Sequence, residues 1–464
     1  MVKILVYGID GAPPELIFDR WLDDLPNIKS LLNKGAYTKI NSTIPPVTII
    51  AWSAFASGKD ASQIGAFSYT YKDHLTNKSR LISSTHVKTE RVWDILSKYN
   101  KRSIILNVPL TYPVKPIKGI MISGFLTPDI NSDCVYPKAL KDKIKELGDT
   151  KFLFDVAGVA GHKSLDIDEL LKRTYEMTNL QINILKELIV NEEWDFLMQV
   201  LIGSDRLQHM LWKHFDPTHK RFIENSKYKN ALKDYYIYLD KRLGEIISLL
   251  DKDTIVIVSS DHGMIKQEGK ININNWLIEK GYLVLTKEFA EEIKHKKTRQ
   301  RFEGIDFNKT IAYATGAYHA RVFIDQSIIP KEDYNKIRNK LIEELKQITD
   351  DKGNKLKTEV FKAEDIYHNP NATGCPDLTV YFDELRWASN PDFGLPGLYS
   401  WKSALGADSA GHSKQGIFII SGAGISNLGK IKDINIKQVT PTILQLMGLP
   451  IPKDIKHKPI EVVK

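Results

Sequence analysis

The amino-acid sequence predicts an α/β protein: a doubly wound, mostly parallel sheet with helices on both faces and a small inserted α/β lobe. Three observations carry that prediction. Apolar β-type runs recur along the chain with helical periodicities between them, the pattern of successive βαβ units. The alternation breaks once, over 265–405, where strand-like and helical stretches of mixed character intervene before the last strand. Several runs end in acidic residues or an Asp-His pair, and in open α/β sheets ligands collect at the carboxyl ends of the strands.

The elements follow in order. The first run, Val2-Lys3-Ile4-Leu5-Val6-Tyr7-Gly8-Ile9, closes on Asp10, and further strands are predicted at 102–108, 119–124, 195–202, 254–260 and 416–421. Helical patterns lie near 26–34, 89–99, 137–147, 166–190, 226–250 and 436–447, the last stopped by Gly448 and Pro450. The core domain is therefore assigned to 1–264 and 406–464, with 265–405 as a lobe covering the site. Inside that lobe Ala320-Arg321-Val322-Phe323-Ile324 and Asp377-Leu378-Thr379-Val380-Tyr381-Phe382 read as strands around a charged helix near 330–349. A second irregular segment, 60–88, is expected over the same edge of the sheet.

The 464 residues suffice for a large core with an insertion, and 26% charged residues is ordinary for a globular protein. Lys+Arg 65 against Asp+Glu 57 gives a formal +8 spread along the chain, with only short clusters such as Lys294-His295-Lys296-Lys297. That balance mildly favours anionic substrates, and a solvated lysine-rich surface explains it better than a nucleic-acid groove, so no stable nucleic-acid complex is expected. Cys134 and Cys375 give neither a CxxC pair nor a disulfide framework. No signal-peptide pattern and no run of about 18 apolar residues occur, so the reading is a cytoplasmic protein without a membrane span.

Asp205 and His209 stand four residues apart, which puts both on one face of a helix. Carboxylate oxygen and imidazole nitrogen are ligands for zinc, manganese or iron. The structural alternative makes Asp205 an N-cap and His209 a packed helix residue. Asp261-His262-Gly263 directly follows a buried strand, where packing has little need of a charged pair. Thr48, in Pro45-Pro46-Val47-Thr48-Ile49-Ile50-Ala51-Trp52-Ser53, is read first as an N-cap and second as a nucleophile, since a helix N-terminus also stabilises an incoming phosphate. His412, in Asp408-Ser409-Ala410-Gly411-His412-Ser413, gains weight because one metal site would otherwise lack a ligand. Rival motifs fail: Ser57-Gly58-Lys59-Asp60 lacks the rest of a phosphate-binding loop, and Gly8-Ile9-Asp10-Gly11 lacks dinucleotide spacing. Neither GxSxG nor HExxH is present.

In this order the motifs resemble the alkaline phosphatase superfamily, specifically its type I phosphodiesterase/nucleotide pyrophosphatase branch and the prokaryotic predicted phosphohydrolases or phosphomutases within it. The resemblance runs through Gly8-Ile9-Asp10-Gly11, Pro45-Pro46-Val47-Thr48 with Ala51-Trp52 and Ser57-Gly58, Asn107-Val108-Pro109-Leu110-Thr111-Tyr112-Pro113, and Ser204-Asp205 with His209. It continues through Ser260-Asp261-His262-Gly263, Asn272 to Leu283, Gly411-His412 and Pro441-Thr442-Ile443-Leu444. It implies an alkaline-phosphatase-like three-layer sandwich and two divalent ions, zinc first, with manganese or iron allowed. Asp205, His209 and His412 would hold one ion, and Asp10, Asp261, His262 and the Thr48 hydroxyl the other. Thr48 would attack phosphorus to form a phospho-threonine that hydrolysis then releases. Two positions depart from the family pattern and bear on the substrate. Ala61-Ser62-Gln63-Ile64-Gly65 lacks the histidine of a Pro-x-x-His-Gly segment, and Ala51 replaces an asparagine three residues after the nucleophile. No Cys/Ser-x-Pro-x-Arg motif points to the sulfatase branch.

The leading reading is a two-metal hydrolase of phosphodiesters or pyrophosphates acting on a small phosphorylated substrate. The alternative keeps the site but makes the enzyme a phosphomonoesterase or phosphomutase, which needs further cations near the phosphate; Arg206, Arg321, Lys402 and Lys414 are the candidates. A third reading is a non-catalytic binding protein with one structural ion. His319 and His368, within the lobe, are read as structural or surface residues.

Overall fold

A computed structural model of the chain describes residues 2–72, 79–157, 161–296, 298, 302–403 and 406–463. Its main sheet runs, edge to edge, Gly429–Lys430, Ala36–Asn41, Gln415–Ser421, Ile255–Ser259, Ile4–Ile9, Phe196–Leu201, Ser103–Val108, Gly119–Ser123 and Val135–Tyr136, with Ile434–Asn435 also paired to Ala36–Asn41. The five strands from Ile255–Ser259 to Gly119–Ser123 are mutually parallel. Gln415–Ser421 runs antiparallel to both neighbours, so the sheet is mixed around a parallel centre. Every residue of Ile4–Ile9 and of Phe196–Leu201 is buried, as strands covered on both faces must be.

The two faces can be told apart at adjacent residues of the first strand, since side chains alternate. The Tyr7 hydroxyl donates to the Leu239 carbonyl of helix Ala231–Ile247. A Cβ on Gly8 would instead meet the Trp52 ring of helix Thr48–Ser57. On the Tyr7 side Pro26–Lys34, Ile167–Asn191, Gly203–Phe215 and Ala231–Ile247 pack in a chain of contacts; on the other, Thr48–Ser57, Val92–Lys98 and Val439–Leu446 do. The result is the three-layer arrangement expected from the sequence.

A second hydrophobic cluster, from Ile271 to Phe393, is separate from the main core. It lies under an antiparallel sheet ordered Ala312–Thr315, Ala320–Ile324, Leu378–Tyr381, Glu359–Lys362, with helix Tyr334–Leu345. The chain enters and leaves this lobe through an antiparallel ribbon of Gly263–Lys266 and Ala410–Ser413. The boundary expected at 265 falls inside that ribbon, and residue 405 lies outside the described residues, as does Lys297 of the basic cluster.

Two differences have local causes. The strand Ala36–Asn41 was not expected: its residues alternate buried and half-buried, and its partner Gln415–Ser421 is remote in sequence. The helix expected over 226–250 is shorter, Ala231–Ile247, because Ser226 accepts the Tyr228 N–H in a turn. Within 60–88, helix Ala61–Ile64 is capped by Asp60 and a hairpin pairs Thr70–Lys72 with Ser79–Leu81; residues 73–78 lie outside the described residues. This segment touches the lobe, since Asp60 and Ser62 accept the N–H groups of His368 and Asn369.

Candidate active site

Three loops at the carboxyl ends of neighbouring strands are tied together by their own backbone. The Ser204 hydroxyl donates to the Asp10 carbonyl (2.6 Å), the Gln208 amide to the Gly11 carbonyl (2.9 Å) and the Ser260 hydroxyl to the Ala12 carbonyl (2.9 Å). The Gly11 N–H donates to Asp261 Oδ1 at 3.3 Å. Gly11 holds a φ of +69° with Asp205 Cα 3.5 Å from where its Cβ would stand, so a side chain there meets both strain and a wall. Asp10, Asp205, Asp261 and their neighbours are therefore fixed before any ligand arrives.

The three imidazoles share one arrangement. His209 Nδ1 donates to the Ala410 carbonyl (2.9 Å), His262 Nδ1 to the Gly263 carbonyl (3.0 Å) and His412 Nδ1 to the Pro46 carbonyl (2.7 Å). A carbonyl only accepts, so each Nδ1 carries a proton, and in the neutral ring that tautomer leaves the Nε2 lone pair free for a metal. Those nitrogens face carboxylates: His209 and His412 Nε2 lie 3.4 and 3.3 Å from Asp205 Oδ1. His262 Nε2 lies 3.2 Å from Asp261 Oδ2 and 3.8 Å from Asp10 Oδ1. The oxygens concerned, Asp10 Oδ1, Asp205 Oδ1 and Asp261 Oδ2, are buried without hydrogen-bond partners among the described residues. Ligand atoms all within 4.8 Å of one another form two groups, Asp205–His262–His412 and Asp10–Asp261–His262. His209 is in neither group and joins the first through Asp205.

Thr48 Oγ1 is 3.2 Å from His262 Nε2 and is buried. The N-cap role expected for it belongs to Val47, whose extended φ and ψ (−114°, 123°) let the helix begin at Thr48. Its hydroxyl is thereby free of capping and turns to His262. Asp205 is likewise no N-cap; it is the third residue of helix Gly203–Phe215, and Asp261 precedes a strand, not a helix.

Electrostatics follow from burial and crowding. Burial, then the Asp205 charge, push the Asp10 carboxyl well above its usual range, and the Trp52 N–H (2.8 Å from Oδ2) opposes them. Burial and Asp10 raise Asp261 in the same way. Burial raises Asp205 too, but His209 and His412 outweigh it and hold that carboxyl low. Burial and the stacked His412 ring (3.8 Å, 19°) keep His262 neutral. Three carboxylates this close, with no Lys or Arg paired to them beyond Arg206 among the described residues, make a donor set that fits divalent ions.

Of the four cations considered from sequence, Arg206 is bound to Asp205 (2.9 Å) and Asp155 (2.9 Å), Lys414 is paired with Glu359, and Lys402 is exposed. Arg321 is buried with no carboxylate partner among the described residues. His368 is exposed as expected, but His319 is buried and is no surface residue. Sequence reasoning missed Trp52, Tyr69 and Tyr318; the last stacks on His209 (5.2 Å) and His412 (4.7 Å) from the lobe. Trp52 lies four residues after Thr48, a spacing that places it on the same helix face, and was the one legible signal.

The family described as type I phosphodiesterase/nucleotide pyrophosphatase matches residues 4–404. The chain belongs to that family. It is accordingly a phosphoric ester hydrolase of the alkaline phosphatase superfamily. Human ectonucleotide pyrophosphatase/phosphodiesterase 5 is similar in structure, with a TM-score of 0.57 at 14% identity, covering 97% of this chain and 96% of that one. An inactive form of the murine protein in complex with AMP gives 0.58 at 12% identity with the same coverage. At these identities the likeness establishes the fold. No curated protein sequence matches the chain. Among the described residues, no helix is long and apolar enough to cross a membrane.

Proposed function

We propose that this family member hydrolyses phosphodiesters or pyrophosphates of small molecules through a phospho-threonine on Thr48. Asp205, His209 and His412 would hold one divalent ion, and Asp10, Asp261, His262 and the Thr48 hydroxyl a second. Nitrogen and carboxylate ligands suit zinc, with manganese or iron allowed. Such ions, when bound, lower the pKa of a coordinated hydroxyl and neutralise charge on attacking and leaving oxygens. The observation that carries the reading is the shared orientation of the three imidazoles, each anchored at Nδ1 to a backbone carbonyl with Nε2 turned inward.

The chain's own groups supply the rest. Helix Thr48–Ser57 presents its first backbone N–H groups and positive end to phosphoryl oxygens. A bond forms between Thr48 Oγ and phosphorus as the ester oxygen departs, and water then cleaves that phosphoryl bond to regenerate the threonine. Tyr318 and Tyr69, both half-buried, screen the attacked atom from bulk water. The monoester alternative needs cations free to meet the extra charge; of its four candidates carboxylates occupy Arg206 and Lys414, Lys402 is exposed, and Arg321 alone is buried without an acid among the described residues.

The test is turnover of bis-p-nitrophenyl phosphate by purified protein supplied with Zn²⁺ or Mn²⁺. Thr48→Ala is expected to reduce kcat by several orders of magnitude with the fold intact. A variant as active as the wild type would overturn the nucleophile assignment.

A further inference from the structure

We propose that His319 and Arg321, projecting from the lobe onto the core domain beside the Thr48 site, recognise a second oxyanion of the substrate, a phosphate or carboxylate that is not transferred. This rests on the phosphoester reading above and names the class of molecule it applies to. Arg321 lies on strand Ala320–Ile324 and His319 immediately precedes it. Arg321 faces the core: its Nη1 donates to the Phe67 carbonyl at 3.3 Å, in the segment that follows helix Thr48–Ser57. Tyr318, the residue before His319, stacks on His209 (5.2 Å) and His412 (4.7 Å) of the ligand cluster.

These side chains are unsatisfied where they stand. Arg321 is 6% exposed and His319 5% exposed, and Arg321 Nε, His319 Nε2 and the cross-strand Thr315 hydroxyl have no hydrogen-bond partner among the described residues. Several other buried bases are neutralised: Lys163 and Lys270 share Asp408, Arg206 meets Asp155 and Asp205, and Arg338 meets Glu364, whereas the Arg91 guanidinium bonds only the Leu110 carbonyl among the described residues. Arg321 has no such acid. Burial pulls its guanidinium down to about 10, and only Tyr367 and Tyr313 offer relief. Burying an unpaired cation is costly, and the guanidinium fork with a free Nε matches an oxyanion in bidentate fashion. The contact with Phe67 rather than with the ligating residues assigns this pair to a second group of the substrate and not to the phosphorus attacked.

Three diesters with a common p-nitrophenyl leaving group test this: p-nitrophenyl propyl phosphate and its analogues ending in a carboxylate or in a phosphate. Wild-type enzyme is expected to favour one anionic tail over the neutral one by roughly 30-fold in kcat/KM, the gain from one charge-assisted contact, and the two anionic arms tell carboxylate from phosphate. Arg321→Met should abolish that preference while leaving the neutral diester within about threefold of wild type. Should that variant fail to melt cooperatively, Arg321→Lys and His319→Ala read the same ratio. Wild-type turnover without preference for either anionic tail, or an equal loss on all three diesters in the variants, overturns the inference and leaves the Thr48 reading standing. No turnover of any diester by metal-loaded wild type sinks the Thr48 reading itself.

Discussion

Replacing Trp52 by Phe isolates one hydrogen bond behind the metal cluster. Trp52 Nε1 donates to Asp10 Oδ2 at 2.8 Å, and both residues are fully buried. Phenylalanine keeps the first ring and its contact with Phe55 (5.3 Å, 59°) but cannot donate. A hydrogen bond to a charged group contributes roughly 1.5–3 kcal/mol, which at about 1.4 kcal/mol per decade is roughly 10- to 150-fold in an equilibrium constant. Groups that orient a ligating carboxylate are worth about 10–100-fold in metal affinity by mutation, the same range reached independently. The half-saturating metal concentration in Trp52→Phe should therefore rise about 30-fold. Because Thr48 and the three imidazoles are untouched, kcat at saturating metal should change by no more than a few-fold.

The assay is hydrolysis of bis-p-nitrophenyl phosphate by chelator-stripped protein titrated with Zn²⁺ or Mn²⁺ at fixed pH. The indole donor also opposes the burial and the Asp205 charge that raise the Asp10 carboxyl, so its loss strengthens proton competition for the same oxygen. The gap between variant and wild type should widen as pH falls. Packing lost with the second indole ring reports separately, as about 1–2 kcal/mol of thermal stability. Metal titrations that superimpose for the two proteins would refute Asp10 as a ligand held by Trp52.

Three further outcomes are expected. In Gly8→Ala the new Cβ would lie 2.7 Å from the Trp52 ring and 2.8 Å from the Gln199 carbonyl oxygen, so urea midpoints should show a loss of about 1–3 kcal/mol together with weakened metal binding. Asp408→Asn leaves Lys163 and Lys270 buried without their shared carboxylate (2.8 and 3.2 Å); it should cost about 3–5 kcal/mol in denaturant unfolding, much of it recovered by adding Lys270→Met. His214 is buried, bonded to the Ser226 hydroxyl at 2.7 Å, and pulled down to about 4 by burial and by Lys213. Between its unfolded value near 6.5 and that folded value the unfolded chain binds more protons, so stability is complete above about pH 6.5 and is lost as pH falls toward 4. His214→Gln should flatten the acid limb of the stability profile by about 2 kcal/mol, measured by urea titration from pH 7 to 4.

What could be read in the sequence was what burial writes in runs of one residue type. Ile4–Ile9, Phe196–Leu201 and Ile255–Ser259 are covered on both faces, so they appear as continuous apolar stretches, and the acids ending them stand out by contrast. Ala36–Asn41 has one half-buried face and a partner hundreds of residues away, and nothing local distinguishes it from loop. The site was legible where ligands come in pairs, as in Asp205 with His209 and Asp261 with His262. Tyr69 and Tyr318 were not, because a tyrosine becomes part of a site only through what folding sets beside it. The helix start at Thr48 was misplaced by one residue for a related reason: Pro45-Pro46 marks an extended approach but does not say whether Val47 or Thr48 ends it.

The ribbon joining the two hydrophobic clusters bears on how the lobe can influence chemistry. His262 immediately precedes its first strand, and His412, opposite Met264, lies in its second. The stacked imidazoles thus sit on the two strands by which the chain enters and leaves the lobe, and the Gln267 N–H bond to the Ser409 carbonyl (3.0 Å) extends the pairing one step further. A Cβ on Gly263 would stand 2.2 Å from the Gln415 carbonyl, so the base of the ribbon is pressed against the main sheet and has no room to swing. Any displacement of the lobe that keeps the imidazoles in place must therefore arise beyond Gln267 and Ser409. Tyr318 lies beyond that point, yet it rests on His209 and His412. Lobe position and ligand geometry are consequently coupled through one aromatic contact. Substitutions at Tyr318 should alter metal affinity and substrate choice together, whereas substitutions at Arg321 should alter substrate choice alone.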